Sequence, residues 1–200
     1  PNNVQILKID ENATILDSTK LFTNQDSGSP FYEPYDVIAP RITSTNDNGL
    51  IVLFGSNHVI TTKSFNIYKL NENLEEEWHI KEDIEEIGYL TEVVQTPDGS
   101  FVITGSWPDP LEDGTTKLQL FKIAADGIPQ WRRKYDVGAG DDYGYSLNTT
   151  SDGGFIAAGR SQNVTVANLL VIKTNCVGVV TMPIADFSGS INHDSLSISV

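Results

Sequence analysis

The side chains in this sequence that could do chemistry are mostly carboxylates. Asp47, Asp98 and Asp152 recur in one local context, Asp141 and Asp142 adjoin Tyr143, and Asp109, Glu112 and Asp113 follow Trp107. A glycosidase needs two carboxylates roughly 5 to 9.5 Å apart across a cleft, and with 27 acids some pairs are unavoidable. Calcium also takes oxygen ligands, but neither acidic set has the alternating spacing of a calcium loop, and no metal is expected. Nucleophilic catalysis lacks its parts: no histidine is expected near Cys176, and no Gly-x-Ser-x-Gly elbow occurs. His58, His79 and His193 are scattered and cannot build a zinc cluster with one cysteine. Sialidase chemistry wants clustered arginines, whereas Arg41, Arg132, Arg133 and Arg160 are dispersed, the middle two pointing to opposite faces of one strand. No catalytic residue and no cofactor is expected.

The recurring aspartates belong to a repeat. TNDNGLIVLFG (45–55), TPDGSFVITG (96–105) and TSDGGFIAAG (150–159) follow one another at roughly fifty residues. A second element keeps step around Lys8, Lys69, Lys122 and Lys173, with Trp78 and Trp131 trailing the middle two at the same distance. Asp-Gly or Asn-Gly between two apolar runs marks a tight hairpin, and a turn carboxylate there accepts hydrogen bonds from its own backbone. The three aspartates are therefore read as structural, and Trp78 and Trp131 as core.

Each unit reads as four short antiparallel strands with two apolar faces, which neighbouring units must cover. The expected fold is all-β, a β-propeller of four-stranded antiparallel blades. Residues 1–22 supply the last two strands of one blade, and 35–82, 89–135 and 145–182 supply further blades, about three and a half in all against the usual 4 to 8. A fragment of a longer propeller is the expectation, the alternative being a four-bladed ring closed by residues 184–200. Alternating hairpins send the long loops (56–64, 106–117 and 160–168) and the inter-blade links to one end. Trp107, Asp109, Asp141, Asp142 and Tyr143 are the candidate binding residues of that long-loop face.

Charge narrows the partners. Acids outnumber the 13 bases, giving a formal net charge of -14 and a sequence pI near 4.4, which excludes a basic surface for nucleic acid or anionic lipid. No apolar run approaches the ~18 residues of a membrane helix, so no transmembrane segment is expected.

The repeat resembles the tandem propeller repeats of large secreted and surface proteins of the Bacteroidetes type. Those units run lysine, acidic turn, Trp, a Gly-Asp-Asp stretch and Thr-x-Asp-Gly-Gly-aromatic, matched here by Lys122 to Trp131, Gly140-Asp141-Asp142-Tyr143 and 150–159. From Pro183, PIADF resembles the opening of a PKD-type β-sandwich domain. The resemblance implies propeller repeats over 1–182 and the start of a sandwich over 183–200. It also implies an extracellular or outer-membrane surface location by the type 9 secretion route, with possible O-glycosylation of Ser18 and Ser195. The expected function is a non-enzymatic binding or scaffold module that contacts a surface protein or glycan through the long-loop face. The alternatives are an accessory subunit of an outer-membrane complex and a glycan-processing enzyme.

Overall fold

The computed structural model describes residues 3–22, 36–57, 63–84, 88–108, 114–137, 140–162 and 167–181. Every regular element among them is a β-strand, and all the strand pairs are antiparallel. The first sheet holds β1 (Asn3–Ile9) and β2 (Ile15–Phe22). The second is a meander of β3 (Asp36–Ser44), β4 (Leu50–Asn57), β5 (Lys63–Leu70) and β6 (Glu76–Ile84). The third repeats that order with β7 (Tyr89–Gln95), β8 (Phe101–Pro108), β9 (Thr116–Ile123) and β10 (Pro129–Tyr135). The fourth has β11 (Asp141–Thr149), β12 (Phe155–Gln162) and β13 (Ala167–Thr174), with Thr174 bridging onward to Val180. The expected sandwich start at 183–200 lies outside the described residues.

The sheets pack face to face in chain order, because each central strand is apolar on both sides. Ile6 and Leu21 of the first sheet meet Val52, Phe54, Tyr68 and Leu70 of the second. The opposite face of the second sheet, with Ile51, Leu53, Phe65 and Ile67, meets Phe101, Ile103, Phe121 and Ile123 of the third. Val102, Leu118 and Leu120 then meet Leu147, Phe155, Leu170 and Ile172 of the fourth. Neighbouring residues of one strand thus serve different cores, as the two-residue strand period requires. Trp78 and Trp131 lie edge-on or tilted against Phe101 and Phe155 of the following sheet. Among the described residues, Leu7 and Ile9 at one end of the stack and Ile156 and Leu169 at the other are exposed.

Tight turns share one geometry. In each, the first residue and the fifth close the hairpin, and the fourth donates its N–H back to the first residue's carbonyl, as in Thr96–Ser100 at 2.8 Å and Gly99–Thr96 at 2.9 Å. That fourth residue has positive φ: Gly99, Gly127, Gly153 and Gly178, but also Asn48, Leu74 and Ala13. The recurring aspartate completes the turn between first and second strands. Asp47, Asp98 and Asp152 accept from the hydroxyls of Thr45, Thr96 and Thr150 and from the N–H of Gly49, Ser100 and Gly154. Each then pairs with the repeat lysine of the third strand: Asp47 with Lys69 and Asp98 with Lys122, both at 2.9 Å, and Asp152 with Lys173. The Thr-x-Asp-Gly and Lys signatures are thus two halves of one clip.

A bulge recurs in the first strand of the second, third and fourth sheets, β3, β7 and β11. The register slips between Ile38 and Arg41, between Leu90 and Glu92, and between Gly144 and Ser146. It turns Thr91 toward the next sheet, where its hydroxyl donates to the Gly144 carbonyl at 2.8 Å, while Arg41 Nε donates to the Thr91 carbonyl at 3.1 Å. The glycines opposite the β7 and β11 bulges are forced: a Cβ on Gly159 would lie 1.7 Å from the Tyr143 carbonyl oxygen, and one on Gly105 2.6 Å from that of Tyr89.

Two outcomes follow from the turns. Ala13 is exposed with φ 62°, a conformation that costs a non-glycine residue ~1–2 kcal/mol, so Ala13→Gly raises stability by about 1 kcal/mol in urea titration. The Thr45 hydroxyl first, and the Lys69 ammonium second, hold the Asp47 carboxyl from its ordinary 3.8 down to about 2. Asp98 is lowered by Thr96 and then Lys122, and Asp152 by Lys173 and then Thr150. Carboxyls with depressed folded values stabilise above their unfolded value and lose that contribution as pH falls through the folded one. Stability therefore declines as pH drops from about 4 toward 2, and Asp47→Asn flattens that decline in a melting-temperature series; because these side chains are solvent-exposed, the flattening is slight.

Candidate functional site

The polar groups that converge most closely stand at the loop end of the third and fourth sheets, where β9 and β11 begin. Lys117 is fully buried, and its ammonium bonds the Asp136 carboxylate at 2.9 Å and the Gly140 carbonyl at 3.4 Å. Asp141 accepts the Thr116 N–H at 2.8 Å on one oxygen and the Tyr143 hydroxyl at 3.3 Å on the other. Asp142 is also fully buried; its Oδ2 accepts the Val137 N–H at 2.9 Å, and its Oδ1 has no hydrogen-bond partner. Across the register from Tyr143, the Arg160 guanidinium lies over the tyrosine ring at 4.7 Å, with its buried Nε unpartnered. The strand period fixes this arrangement: Asp142 and Gly144 face the third sheet, whose Ser106 hydroxyl accepts the Gly144 N–H at 2.8 Å, while Tyr143 and Arg160 occupy the opposite face.

These positions revise the sequence reading. Asp141, Asp142 and Tyr143 open β11 and are not loop residues. Trp107 is the penultimate residue of β8 and is buried between Phe65 at 5.1 Å and Phe121 at 6.3 Å, with the Arg132 guanidinium over its ring at 5.2 Å. It packs two sheets together and offers no surface to a ligand. Asp109 and Ser195 lie outside the described residues, and Ser18 is exposed on β2. Lys117 and Arg160 were not foreseen as site residues. For Lys117 the signal was available: it shares the period-two face of Gln119 and Phe121, so a lysine there had to be buried and paired.

Two further concavities lie between the second and third sheets. A groove of about 620 Å³ at the tight-turn end lies between the Asp47 and Asp98 turns; its Asp47, Glu77 and Asp98 carboxylates are paired with the repeat lysines, Asp126 accepts the Ile128 N–H at 3.2 Å, and Trp78 Nε1 donates to the Ala125 carbonyl at 2.9 Å. A cleft of about 320 Å³ between β6 and β10 is lined by Ile80, Phe121 and Trp131 and by the Glu82–Arg132 ion pair. His79 stacks on Tyr68 at 3.8 Å, and Cys176 is exposed in a turn. Among the described residues, no group of three or more His, Cys, Asp or Glu side chains is placed to hold a metal ion. The partly exposed members of the loop-end cluster, Asp141, Tyr143 and Arg160, can orient a polar ligand.

No protein-family model matches the chain, and no curated protein matches it. Among solved structures it aligns with an ACO/RPE65 chimera at a TM-score of 0.47 and 13% identity, over 88% of this chain and 43% of that one. A Synechocystis apocarotenoid oxygenase mutant aligns at a TM-score of 0.45 and 14% identity, with the same coverage. The chain thus spans less than half the length of either. These neighbours are enzymes, in conflict with the expectation of a non-enzymatic binding or scaffold module, and that expectation is withdrawn; the accessory-subunit and glycan-processing alternatives gain no support. At such low identity and TM-score, no oxygenase activity passes to this chain.

Asp142 supplies a direct check on the cluster. Asparagine in its place keeps an oxygen for the Val137 N–H and removes a buried charge that has one unsatisfied oxygen. Asp142→Asn is expected to raise the urea midpoint by an amount worth about 1 kcal/mol; a fall of that size would mean that Oδ1 has an occupant.

Proposed function

We propose that the four sheets are consecutive blades of a β-propeller, and that the loop end of the fourth blade is the working face, where the protein engages a protein or glycan at the cell surface. The propeller reading draws on the regular front-to-back stacking and on the chain of contacts from Arg41 through Thr91 to Gly144 along the inner strands. The surface location draws on the resemblance of the 122–159 stretch to secreted repeats.

The observation that carries the working face is the group at the start of β11. Two paired strands there hold a partly exposed carboxylate and phenol, Asp141 and Tyr143, together with the Arg160 guanidinium across the register. An aromatic edge flanked by hydrogen-bonding groups is a common way to grip a sugar or a polar peptide. What then happens to the partner, retention or turnover, is a property the same assay reads.

Screening the chain against immobilised glycans and surface-protein extracts, with mass analysis of bound glycans for cleavage, tests the assignment. A partner is expected whose binding weakens about tenfold in Tyr143→Ala, a loss in the range of one stacked aromatic contact, at an unchanged melting temperature. Equal binding by Tyr143→Ala, or no partner at all, would overturn it.

A further inference from the structure

Two demands on the turn between β3 and β4 place a reactive pair there. Its fourth residue needs positive φ; the matching turns use Gly99 and Gly153, whereas this one uses Asn48 at φ 62°, a residue whose short polar side chain tolerates that region. Its fifth residue must be bare, since a Cβ on Gly49 would lie 2.3 Å from the Leu70 carbonyl oxygen and 2.6 Å from Lys69 Nζ. The result is the one Asn-Gly pair in the sequence. Such a pair can close on itself, because no side chain shields the second residue's amide nitrogen. The Gly49 nitrogen gives its proton to a base from solvent and attacks Asn48 Cγ; the new C–N bond completes a five-membered imide as the Cγ–Nδ2 bond breaks and ammonia leaves. Water then opens either imide carbonyl, giving an aspartyl residue at 48 or its isoaspartyl isomer, whose backbone runs through the side chain. A water is consumed, an ammonia is released, and nothing is oxidised or reduced.

The fold treats the two reacting groups oppositely. Asn48 is exposed, whereas Gly49 is buried, and its N–H is held by Asp47 Oδ1 at 3.1 Å. Asp47 is fixed in turn by the Thr45 hydroxyl and by Lys69 at 2.9 Å, and Glu77 holds that ammonium from its other side at 2.7 Å. The nitrogen can lose its proton and swing onto Cγ only after its bond to Asp47 opens. We infer that Asn48 is a latent modification site gated by the Asp47–Lys69 clip: the amide converts slowly while the clip is closed and readily once it is undone. The isoaspartyl product adds a backbone carbon to a turn that the Thr45 N–H closes on the Gly49 carbonyl at 2.9 Å. Opening of the clip is thereby recorded as a lasting disturbance of the pairing between Ser44 and Leu50.

Peptide mapping of the intact chain after incubation in mildly alkaline buffer tests the gate. Trypsin releases 42–63, which carries Asn46, Asn48 and Asn57, and fragment masses assign amide-to-acid conversion to one of them. Conversion at Asn48 is expected to be about tenfold or more slower in the folded chain than in guanidinium chloride, because the open fraction of the turn sets the rate. Asp47→Ala, still folded by its melting curve, converts Asn48 severalfold faster than the unmodified chain. Asp98→Ala breaks the matching clip of the third sheet and leaves the Asn48 rate unchanged, which separates release of the gate from general loss of stability. Asn48→Gly, the residue of the other turns, removes the signal. Conversion in the folded chain as fast as in denaturant, or equal rates for Asp47→Ala and Asp98→Ala, would overturn the inference.

Discussion

A four-stranded antiparallel sheet that is apolar on both faces has to be covered on both, and the rest of this structure follows from that constraint. Burial of apolar area contributes roughly 25 cal/mol per Å², and the second and third sheets bury both faces. Because sheets pack at about 10 Å, the backbone must be bare where they approach most closely. Gly144 meets that need, since a Cβ there would lie 2.6 Å from Thr104 Oγ1 and 3.0 Å from Leu118 of the third sheet, while Gly105 and Gly159 make room for the bulged strand beside them in their own sheets, and Thr91, turned outward by its bulge, ties β7 to β11. Packing, glycine placement and bulge are one solution to one geometric problem.

The ionic clips act on position more than on stability. Exposed ion pairs contribute about 0–1 kcal/mol, and Asp47, Asp98 and Asp152 are all more than half exposed at the side chain. Their value lies in register. A lysine on the third strand that reaches the turn between the first and second strands fixes how the three line up, and a one-residue slip would exchange the two cores. At the loop end the polarity runs the other way: Lys117 and Asp142 are fully buried, so their partners carry real weight, and the unsatisfied Asp142 oxygen is the sharpest departure from that balance.

Much of the fold was legible because the repeat carries its physics in a few residues. Thr-x-Asp-Gly located the turns, and the Lys69, Lys122 and Lys173 phase located the third strands that complete each clip. The site was less legible. Trp107 stands beside Pro108 and outside the repeat pattern, so it read as a loop residue, although its ring packs over the bare backbone of Gly105. Asp141 and Asp142 look like loop acids on composition, yet strand pairing with Gln162 and Ser161 carries β11 back to them. Arg160 acquires a role only once the register sets it opposite Tyr143, a long-range fact that no local pattern contains.

Hydrogen–deuterium exchange of the intact chain, resolved by strand, tests the central claim most directly. If the sheets are stacked so that the second and third are covered on both faces, amides of β4, β5, β8 and β9 exchange slowest, while those of β1 and β13, each in a sheet with one open face, exchange much faster. Equal protection of β13 and β9, or rapid exchange in β4 and β8, would contradict the stacked arrangement and the account built on it.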